Sequence, residues 1–330
     1  MDPGRSPTVL VTRRLPEHGL DILEGKAEVH VWNEDRPMPR DLFLEGLKGK
    51  DAVICLLNDR MDREAMDAGR DLKVIANYAV GYDNIDVDLA TERGIMVLNT
   101  PGVLTDATAD LAFALMLAVA RRIGESERYV RSGSFTAWGP ELMLGKDVWG
   151  AALGVIGAGK IGTAVLRRGK GFNMKLRYHS RTRKPELERE LGAEWSSLDE
   201  LLSASDFVSL NCPLTEETRH MIGSRELELM KEDAVLVNTA RGPVVDEKAL
   251  FKALREGSIL GAGLDVYEEE PKVHPPLMEL DNVVLLPHIG SSTVTTRTRM
   301  AEMASEGVLK ALGGEVPDNL VNVDVLRRKG

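Results

Sequence analysis

Cysteine is scarce in this chain of 330 residues, which contains only Cys55 and Cys212. Each lies in an apolar run, and neither has a second cysteine at CxxC spacing. These positions argue against a disulfide scaffold and a cysteine-based zinc site, and they favour a reducing compartment. A chain of this length can bury most of its surface without disulfides. The sequence predicts no metal site.

Aromatic residues and long apolar runs are also scarce. Aromatics make up 5% of the chain, so the core must be built mainly from aliphatic side chains. The longest apolar stretch, residues 111–120, is well short of the ~18 residues that span a bilayer. The apolar run at residues 8–11 is too short for the core of a signal peptide. We therefore expect a cytoplasmic protein with no membrane partner.

The chain lacks an excess of basic residues. Lys+Arg is 42 and Asp+Glu is 52, which gives a formal net charge of −10. Nucleic acids require a basic surface, so a nucleic-acid partner is not expected. The composition, 43% hydrophobic and 28% charged, is typical of a globular protein, and the length predicts two domains.

Short β-branched runs alternate with helix-length segments along the chain. This pattern is typical of βαβ units in parallel sheets, and apolar runs such as residues 52–57 suit strands covered on both faces. A turn at Pro101 and Gly102 divides the predicted strands into two series. The predicted strands are residues 8–11, 28–32, 52–57, 73–76, 95–98, 152–156, 175–179, 207–210, 234–238, 261–265 and 283–286.

Two long helices and an irregular segment complete the predicted organisation. One helix begins near Thr105, and a C-terminal helix is capped by Ser291 or Ser292 and ends at Gly313. The aromatic residues within residues 121–150 follow neither strand nor helix periodicity. We interpret that segment as an extended arm.

A GxGxxG pattern follows the predicted strand at residues 152–156 and opens a helix. Gly157 permits a tight turn, Gly159 lets the backbone approach a pyrophosphate, and Gly162 allows the helix and strand to pack. The N–H groups at the helix N-terminus then face the anion. A purely structural glycine turn is the alternative. The predicted dinucleotide-binding residues are Gly157, Ala158, Gly159, Lys160, Ile161 and Gly162.

The loop after the next strand bears on which dinucleotide binds. An NAD site usually has an acidic residue about 20 residues after the glycine pattern. Here the sequence reads Ser180, Arg181, Thr182, Arg183, and the first carboxylate is Glu186. A serine removes the repulsion of a 2′-phosphate, and the arginines supply charge-assisted bonds to it. We expect NADP(H) to be preferred, with NAD(H) possible; solvated loop arginines are the alternative.

Charged or titratable residues follow each of the last three predicted strands: Arg241, the acidic segment from Asp265 to Glu270, and His288. The carboxyl ends of parallel strands meet at the crevice where ligands bind. There, these residues can provide an anion clamp, an orienting carboxylate and a group that titrates near neutral pH. Each alone has an ordinary structural explanation, but their coincidence downstream of a dinucleotide turn favours a catalytic site.

Seven segments match, in order, the motifs of a known family. They are residues 77–86 (NYAVGYDNID), 154–162, 180–183, 212–215 (CPLT), 238–242 (NTARG), 261–271 (GAGLDVYEEEP) and 287–292 (PHIGSS). Over residues 8–325 the chain resembles the D-isomer-specific 2-hydroxyacid dehydrogenases, most of all their glyoxylate/hydroxypyruvate reductases.

The resemblance implies an α/β fold with two doubly wound parallel-sheet domains. A Rossmann dinucleotide-binding domain, residues 101–288, would be inserted into a flavodoxin-like substrate-binding domain made of residues 1–100 and 289–330. A dimerisation arm would lie at about residues 121–150.

The resemblance also implies catalytic roles. Arg241 would bind the carboxylate and carbonyl oxygens of a 2-oxoacid. His288 would give a proton to the carbonyl oxygen as hydride arrives from the nicotinamide. Glu270 would hydrogen-bond His288 and favour its protonated form, whereas Glu268 and Glu269 would be solvated.

Substrate and cofactor contacts follow from the same resemblance. Backbone N–H groups of Val80 and Gly81 would hold the substrate carboxylate. Trp138 would enter the neighbouring subunit's site and limit substrate size, although a core position within its own chain remains open. The other implied cofactor contacts are Cys212, Pro213, Thr239, Ala240, Asp265, His288 and Gly290.

We therefore expect a homodimeric, NADPH-dependent reductase of a small 2-oxoacid, converting glyoxylate to glycolate or hydroxypyruvate to D-glycerate. One alternative is an NAD-linked D-2-hydroxyacid or phosphoglycerate dehydrogenase. Another is a dinucleotide-sensing binding protein, similar to the corepressors that share this fold.

Overall fold

The computed structural model describes residues 5–328, which divide into two compact units. The first unit contains the described residues of Met1–Leu104 and Ser291–Gly330, and the second unit is Thr105–Gly290. Residues 1–4 and 329–330, which belong to the expected substrate-binding domain, lie outside the described residues.

Five parallel strands form the sheet of the first unit. They are β1 (Thr8–Val11), β2 (Glu28–Val31), β3 (Ala52–Cys55), β4 (Val74–Asn77) and β5 (Met96–Leu98). Their order, β2-β1-β3-β4-β5, is the doubly wound order of flavodoxin-like domains. Every residue of β1, β3, β4 and β5 is buried, which explains their continuous apolar sequence. The strands predicted for this unit are confirmed, with ends shifted by at most two residues.

Short helices connect these strands. They are α1 (Glu17–Leu20), α2 (Arg40–Leu47), α3 (Arg63–Ala68) and α4 (Val87–Glu92). Asp62 and Asp86 cap α3 and α4 by accepting backbone N–H groups of the first turn.

Seven parallel strands form the sheet of the second unit. They are β6 (Ala152–Ile156), β7 (Lys175–His179), β8 (Glu194–Trp195), β9 (Phe207–Leu210), β10 (Val235–Asn238), β11 (Gly261–Leu264) and β12 (Val283–Leu285). Their order, β12-β11-β10-β9-β6-β7-β8, is the Rossmann order with a seventh strand added beside β11. The prediction missed only β8, a two-residue edge strand whose residues are exposed.

The second unit contains the apolar stretch at residues 111–120, which lies in a buried helix. Gly261 and Gly263 let this helix approach the sheet, because a Cβ atom at either glycine would lie within 3 Å of Val119 or Leu115. The helices of this unit are α5 (Thr105–Ala120), α6 (Ile123–Arg131), α7 (Lys160–Gly171), α8 (Pro185–Leu191), α9 (Leu198–Ala204), α10 (Ser224–Leu229) and α11 (Glu247–Glu256).

The expectation of an irregular arm is wrong for the residues of α6. This helix buries none of its side chains. Ion pairs at helical spacing, Arg122 with Glu125 and Arg131 with Glu127, support it instead.

The last helix, α12 (Val294–Leu312), belongs to the first unit and packs against α1 and β4. Its cap is Thr293, whose hydroxyl accepts the N–H of Thr296, so the predicted caps Ser291 and Ser292 are wrong. The predicted end at Gly313 is confirmed. Short 3₁₀ helices occur at Asp21–Leu23, Gly242–Val244, Pro275–Glu279 and Val323–Arg328.

Across residues 5–328, no helix is long and apolar enough to cross a membrane. In the same residues, no group of three or more His, Cys, Asp or Glu side chains is arranged to hold a metal ion.

Candidate active site

The glycine turn after β6 packs tightly against the end of β9. Gly157 has φ +93°, and a Cβ atom there would lie 2.6 Å from the backbone nitrogen of Cys212. A Cβ atom at Gly162 would lie 2.1 Å from the carbonyl oxygen of Gly157. Backbone geometry therefore requires glycine at both positions. Burial raises the pKa of Cys212 to about 11, so its thiol stays protonated beside the turn.

The middle glycine differs from its neighbours because the protein does not crowd it. A Cβ atom at Gly159 would meet no protein atom within 4 Å. Gly159 is the N-cap of α7, no side chain caps this end, and the first turn carries no acidic residue. The exposed N–H groups and the open space beside them fit a dinucleotide pyrophosphate.

Buried polar atoms at the same sheet edge also fit a ligand. Thr239 follows β10 and Asn211 follows β9. The hydroxyl oxygen of Thr239 and the amide oxygen of Asn211 are buried and have no hydrogen-bond partner among the described residues. Buried polar atoms without partners are costly, so a bound polar molecule would stabilise both.

The two arginines of the loop after β7 have different surroundings. Arg183 donates two hydrogen bonds to the carboxylate of Glu188, at 2.7 and 2.8 Å. Arg181 makes no ion pair within 4 Å in the part of the chain that the structure describes. The Ser180 hydroxyl donates to the carbonyl oxygen of Thr182 at 2.7 Å, which folds the loop back on itself. Arg181 is therefore the better placed of the two for a ligand phosphate.

His288 and Glu270 form a hydrogen-bonded pair at the ends of neighbouring strands. Nδ1 of His288 lies 2.9 Å from Oε2 of Glu270, and both side chains are half-buried. The other oxygen, Oε1, accepts the backbone N–H of Tyr267 at 3.1 Å. Since an ionised carboxylate can only accept, Nδ1 carries the proton of this bond and Nε2 remains to exchange a proton with a substrate.

A buried carboxylate holds the turn that carries the histidine. Asp265, 1% exposed, accepts the backbone N–H of Ile289 at 2.7 Å and that of Gly290 at 2.8 Å. Burial raises the pKa of Asp265, although these two N–H groups and the nearby His288 oppose the effect. Asp265 thus fixes the backbone immediately after the histidine.

Sequence reasoning missed Tyr267 as a residue that supports this site. Its buried hydroxyl donates to the carbonyl oxygen of Leu286 at 2.7 Å, and burial raises its pKa to about 12. The side chain thereby ties the segment after β11 to the end of β12. The motif placed a tyrosine beside the acidic residues, but nothing in the sequence showed which backbone atom it would reach.

The expectation that Glu268 is solvated is wrong. One oxygen of its carboxylate lies 2.6 Å from Nε2 of His220, and the other accepts the N–H of Glu247 at 3.3 Å. The N–H of Glu268 in turn donates to the buried carboxylate of Glu247 at 2.7 Å. Glu269 is exposed, as expected. The Glu247 and His220 contacts therefore anchor the segment that presents Glu270.

Arg241 lies in a turn that a buried asparagine shapes. The Asn238 side chain donates to the carbonyl oxygen of Arg241 at 2.9 Å and accepts the N–H of Ala240 at 3.0 Å. A Cβ atom at Gly242 would lie 1.8 Å from the backbone of Tyr267, so the turn packs directly against the segment that leads to Glu270. Arg241, Glu270 and His288 consequently follow three adjacent strands of one sheet.

The remaining candidates lie in three loops. Val80 and Gly81 follow β4 in the first unit, and both are half-buried. Trp138 lies after α6 in the second unit and is 80% exposed, which rules out the core position left open by its sequence. Pro213 directly follows Cys212 at the end of β9.

Several known proteins resemble this chain over nearly its whole length. A family model described as D-isomer specific 2-hydroxyacid dehydrogenase, NAD binding domain, matches residues 113–290. A glyoxylate reductase of Thermococcus onnurineus (strain NA1) is 54% identical over 324 residues, which cover 97% of each chain.

Two solved structures extend the comparison. An NADPH-dependent glyoxylate/hydroxypyruvate reductase from Sinorhizobium meliloti, crystallised with NADP and malonate, gives a TM-score of 0.85 at 31% identity. The match covers 97% of this chain and 98% of that one. D-Lactate dehydrogenase from Aquifex aeolicus, with NAD and lactic acid, gives 0.84 at 30% identity, covering 96% and 99%.

Proposed function

The chain belongs to the D-isomer-specific 2-hydroxyacid dehydrogenase family and is an NAD(P)-dependent oxidoreductase, and on this premise we propose that it reduces glyoxylate and hydroxypyruvate with NADPH. The products are glycolate and D-glycerate. The His288–Glu270 pair carries the proposal, because it presents a proton donor after β12, beside β11, which leads to Asp265, and one strand further from β10, which leads to Arg241. The curated relative named glyoxylate reductase, at 54% identity, supports glyoxylate as a substrate.

The reaction divides among a few side chains. A bound reduced nicotinamide supplies the hydride that reaches the carbonyl carbon. His288 gives the proton at Nε2 to the carbonyl oxygen, and Glu270 holds the ring and stabilises its charged form. Arg241 binds the carboxylate and carbonyl oxygens of the 2-oxoacid, and the N–H groups of Val80 and Gly81 receive its carboxylate.

Each unit has its own role in this proposal. The second unit holds the dinucleotide through residues 157–162, through Ser180 and Arg181, and through Thr239, whose buried hydroxyl lacks a protein partner among the described residues. The remaining proposed cofactor contacts are Thr182, Arg183, Cys212, Pro213, Ala240, Asp265, His288 and Gly290. The first unit supplies the Val80–Gly81 backbone for the substrate.

Turnover assays test the proposal. NADPH and NADH oxidation are followed with glyoxylate, hydroxypyruvate, pyruvate and 3-phosphohydroxypyruvate. We expect the highest kcat/KM with NADPH and either of the first two acids. The His288→Asn variant should lose about 10²–10⁴ of kcat, the usual contribution of general acid catalysis. No turnover of glyoxylate or hydroxypyruvate with either cofactor would overturn the proposed function.

The preference for NADPH rests on Arg181 and on the serine that occupies the usual acidic position. Replacing Arg181→Asp should lower kcat/KM for NADPH at least tenfold, because the new carboxylate repels the 2′-phosphate. The Arg189→Asp variant, an equal change of charge at an exposed position of α8, is the matched control and should change it less than twofold. An unaltered ratio of NADPH to NADH efficiency in Arg181→Asp would refute this role.

One observation favours a second candidate, an NAD-linked 2-hydroxyacid dehydrogenase. Both hydrogen bonds of Arg183 go to Glu188, so this arginine must leave its partner before it can bind a phosphate. Comparing kcat/KM for NADPH and NADH in the turnover assay distinguishes the two candidates directly.

We also propose a homodimer built through the arm at residues 121–150. Several large apolar side chains of this segment are exposed in the single chain, which is unusual for a monomer surface. Trp138 extends from the arm into the partner subunit's active site and limits substrate size. The exposed side chains are Ile123, Val130, Phe135, Trp138, Leu142, Leu144 and Trp149.

A further inference from the structure

In the first unit, three hydrogen bonds hold successive carbonyl groups of the loop after β4. The carbonyl oxygen of Ala79 accepts the backbone N–H of Thr100 at 2.8 Å. That of Val80 accepts the side-chain amide of Asn99 at 2.8 Å, and that of Gly81 accepts the side-chain amide of Asn77 at 2.7 Å. Two of these three bonds therefore come from asparagine side chains.

Holding a carbonyl group also aims the N–H group that follows it. The two belong to one planar trans peptide and point in opposite directions. The bond to Ala79 thus directs the N–H of Val80, and the Asn99 bond directs the N–H of Gly81. Within residues 5–328 neither N–H donates to a protein acceptor, and such groups favour an external acceptor.

A second layer of hydrogen bonds fixes the asparagines themselves. Asn77 is 0% exposed and pairs reciprocally with Asn84, at 3.0 and 3.3 Å. Asn84 also donates to the carbonyl oxygens of Leu56 and Asp59, in the loop after β3. The backbone carbonyl of Asn99 accepts the side-chain amide of Asn319 at 2.7 Å. The loop is therefore held against two neighbouring segments of its own unit.

We propose that Asn99 is a positioning residue that aims the N–H of Gly81, beside that of Val80, at the carboxylate of the 2-oxoacid and so sets the substrate's affinity. Asn77 supports it by holding the next carbonyl group, that of Gly81. This inference rests on the proposed function, since it assigns the carboxylate of that substrate to these N–H groups. Neither asparagine touches the reacting atoms. Asn99 determines whether the carboxylate meets the N–H of Gly81 or the carbonyl oxygen of a turned peptide, and Asn77 keeps the peptide that follows Gly81 from turning.

The test replaces the donor without adding charge. In Asn99→Leu and the milder Asn99→Ser, the bond to Val80 is lost and its peptide is free to turn. We expect the KM for glyoxylate to rise about ten- to hundredfold, the loss associated with one charge-assisted hydrogen bond. The Kd for NADPH should change less than twofold, and kcat should fall less than KM rises. Asn77→Leu should also raise the KM for glyoxylate.

Asn322 provides a matched control in the same unit. Its buried side chain bonds the N–H of Val97, the hydroxyl of Thr91 and the carbonyl of Ile95, none of which belongs to the loop after β4. Asn322→Leu should lower the thermal midpoint and leave KM within twofold. A KM as high in Asn322→Leu as in Asn99→Leu would overturn the inference, because general loosening of the unit would then explain both.

Binding of oxamate to the NADH- or NADPH-loaded protein separates this inference from the proposed function. If the wild type binds oxamate without reducing glyoxylate, the proposed function fails, and weaker oxamate binding by Asn99→Ser still supports the positioning role. Equal oxamate binding by the wild type, Asn99→Ser and Asn77→Leu overturns that role even if turnover is normal. No oxamate binding by the wild type overturns it as well.

Discussion

His288 holds a backbone conformation that most residues avoid. Its φ is +56°, in the left-handed region, which costs about 1–3 kcal/mol for a residue other than glycine. The two N–H groups that follow it donate to the carboxylate of Asp265. These charge-assisted bonds offset the strain, so the orientation of the imidazole depends on a side chain 23 residues earlier in the sequence.

Replacing Asp265→Asn tests this dependence. An amide side chain can accept only one of the two N–H groups and turns its own NH₂ towards the other. We expect kcat to fall about ten- to hundredfold, since a misplaced general acid loses much of its contribution. Glu269→Gln is the control, because this exposed acid lies in the same segment. Steady-state kinetics with an unchanged kcat in Asp265→Asn would contradict the role of Asp265.

At the level of elements, a partly buried ion cluster joins the arm to the start of the sheet in the second unit. Asp206 precedes β9 and accepts the N–H of Ala152, the first residue of β6, at 2.7 Å. It also contacts the ammonium groups of Lys231 at 2.9 Å and Lys146 at 3.3 Å. Burial opposes ionisation, but the Ala152 N–H and the two lysines prevail and lower the pKa of Asp206.

This shift predicts how the cluster responds to pH. A carboxyl whose folded-state pKa lies below the unfolded value of 3.8 stabilises the fold above that pH and loses its contribution as pH falls through the folded pKa. Asp206→Asn should therefore lower the free energy of unfolding by about 1–3 kcal/mol at pH 7. The difference from wild type should shrink below pH 3.8.

Urea denaturation at pH 7 and at a pH below 3.8 measures the effect. Asp233→Asn removes an exposed partner of Lys146 and should change stability little at either pH. Equal destabilisation by Asp206→Asn at neutral and acid pH would show that packing, rather than ionisation, explains its contribution.

The strands and helices differ in how well the sequence predicts them. Strands buried on both faces were predicted almost to the residue, because their apolar runs are continuous. The α6 helix and β8 were missed because their side chains lie at the surface.

Within the site, the family resemblance identified the two residues of the His288–Glu270 pair. It did not identify the contact of Glu268 with His220, 48 residues away, because tertiary packing decides which carboxylate of a run meets which partner. The bond from Asn99 to Val80 is hidden for the same reason. By contrast, the five-residue spacing of Arg183 and Glu188 was visible in the sequence.

For the whole molecule, the proposed dimer leads to a prediction about its dissociation constant. Trp149, 71% exposed, should become buried between subunits, so Trp149→Ser should weaken the dimer by at least tenfold in Kd. Val294→Ser changes an apolar residue of α12 in the first unit that is even more exposed, at 87%, and should leave the Kd unchanged. Sedimentation equilibrium measures both. A wild type that stays monomeric across the concentration range would contradict the proposed dimer.

The open space at Gly159 has a consequence for how variants of this protein are found. Neighbouring protein atoms demand glycine at 157 and 162, whereas nothing in the described structure crowds a methyl group at 159. Selection for thermal resistance or soluble expression would therefore retain Gly159→Ala while discarding changes at the other two positions. Since the proposed pyrophosphate would occupy this space, we expect Gly159→Ala to weaken dinucleotide binding, and only a screen that registers such binding would detect the defect.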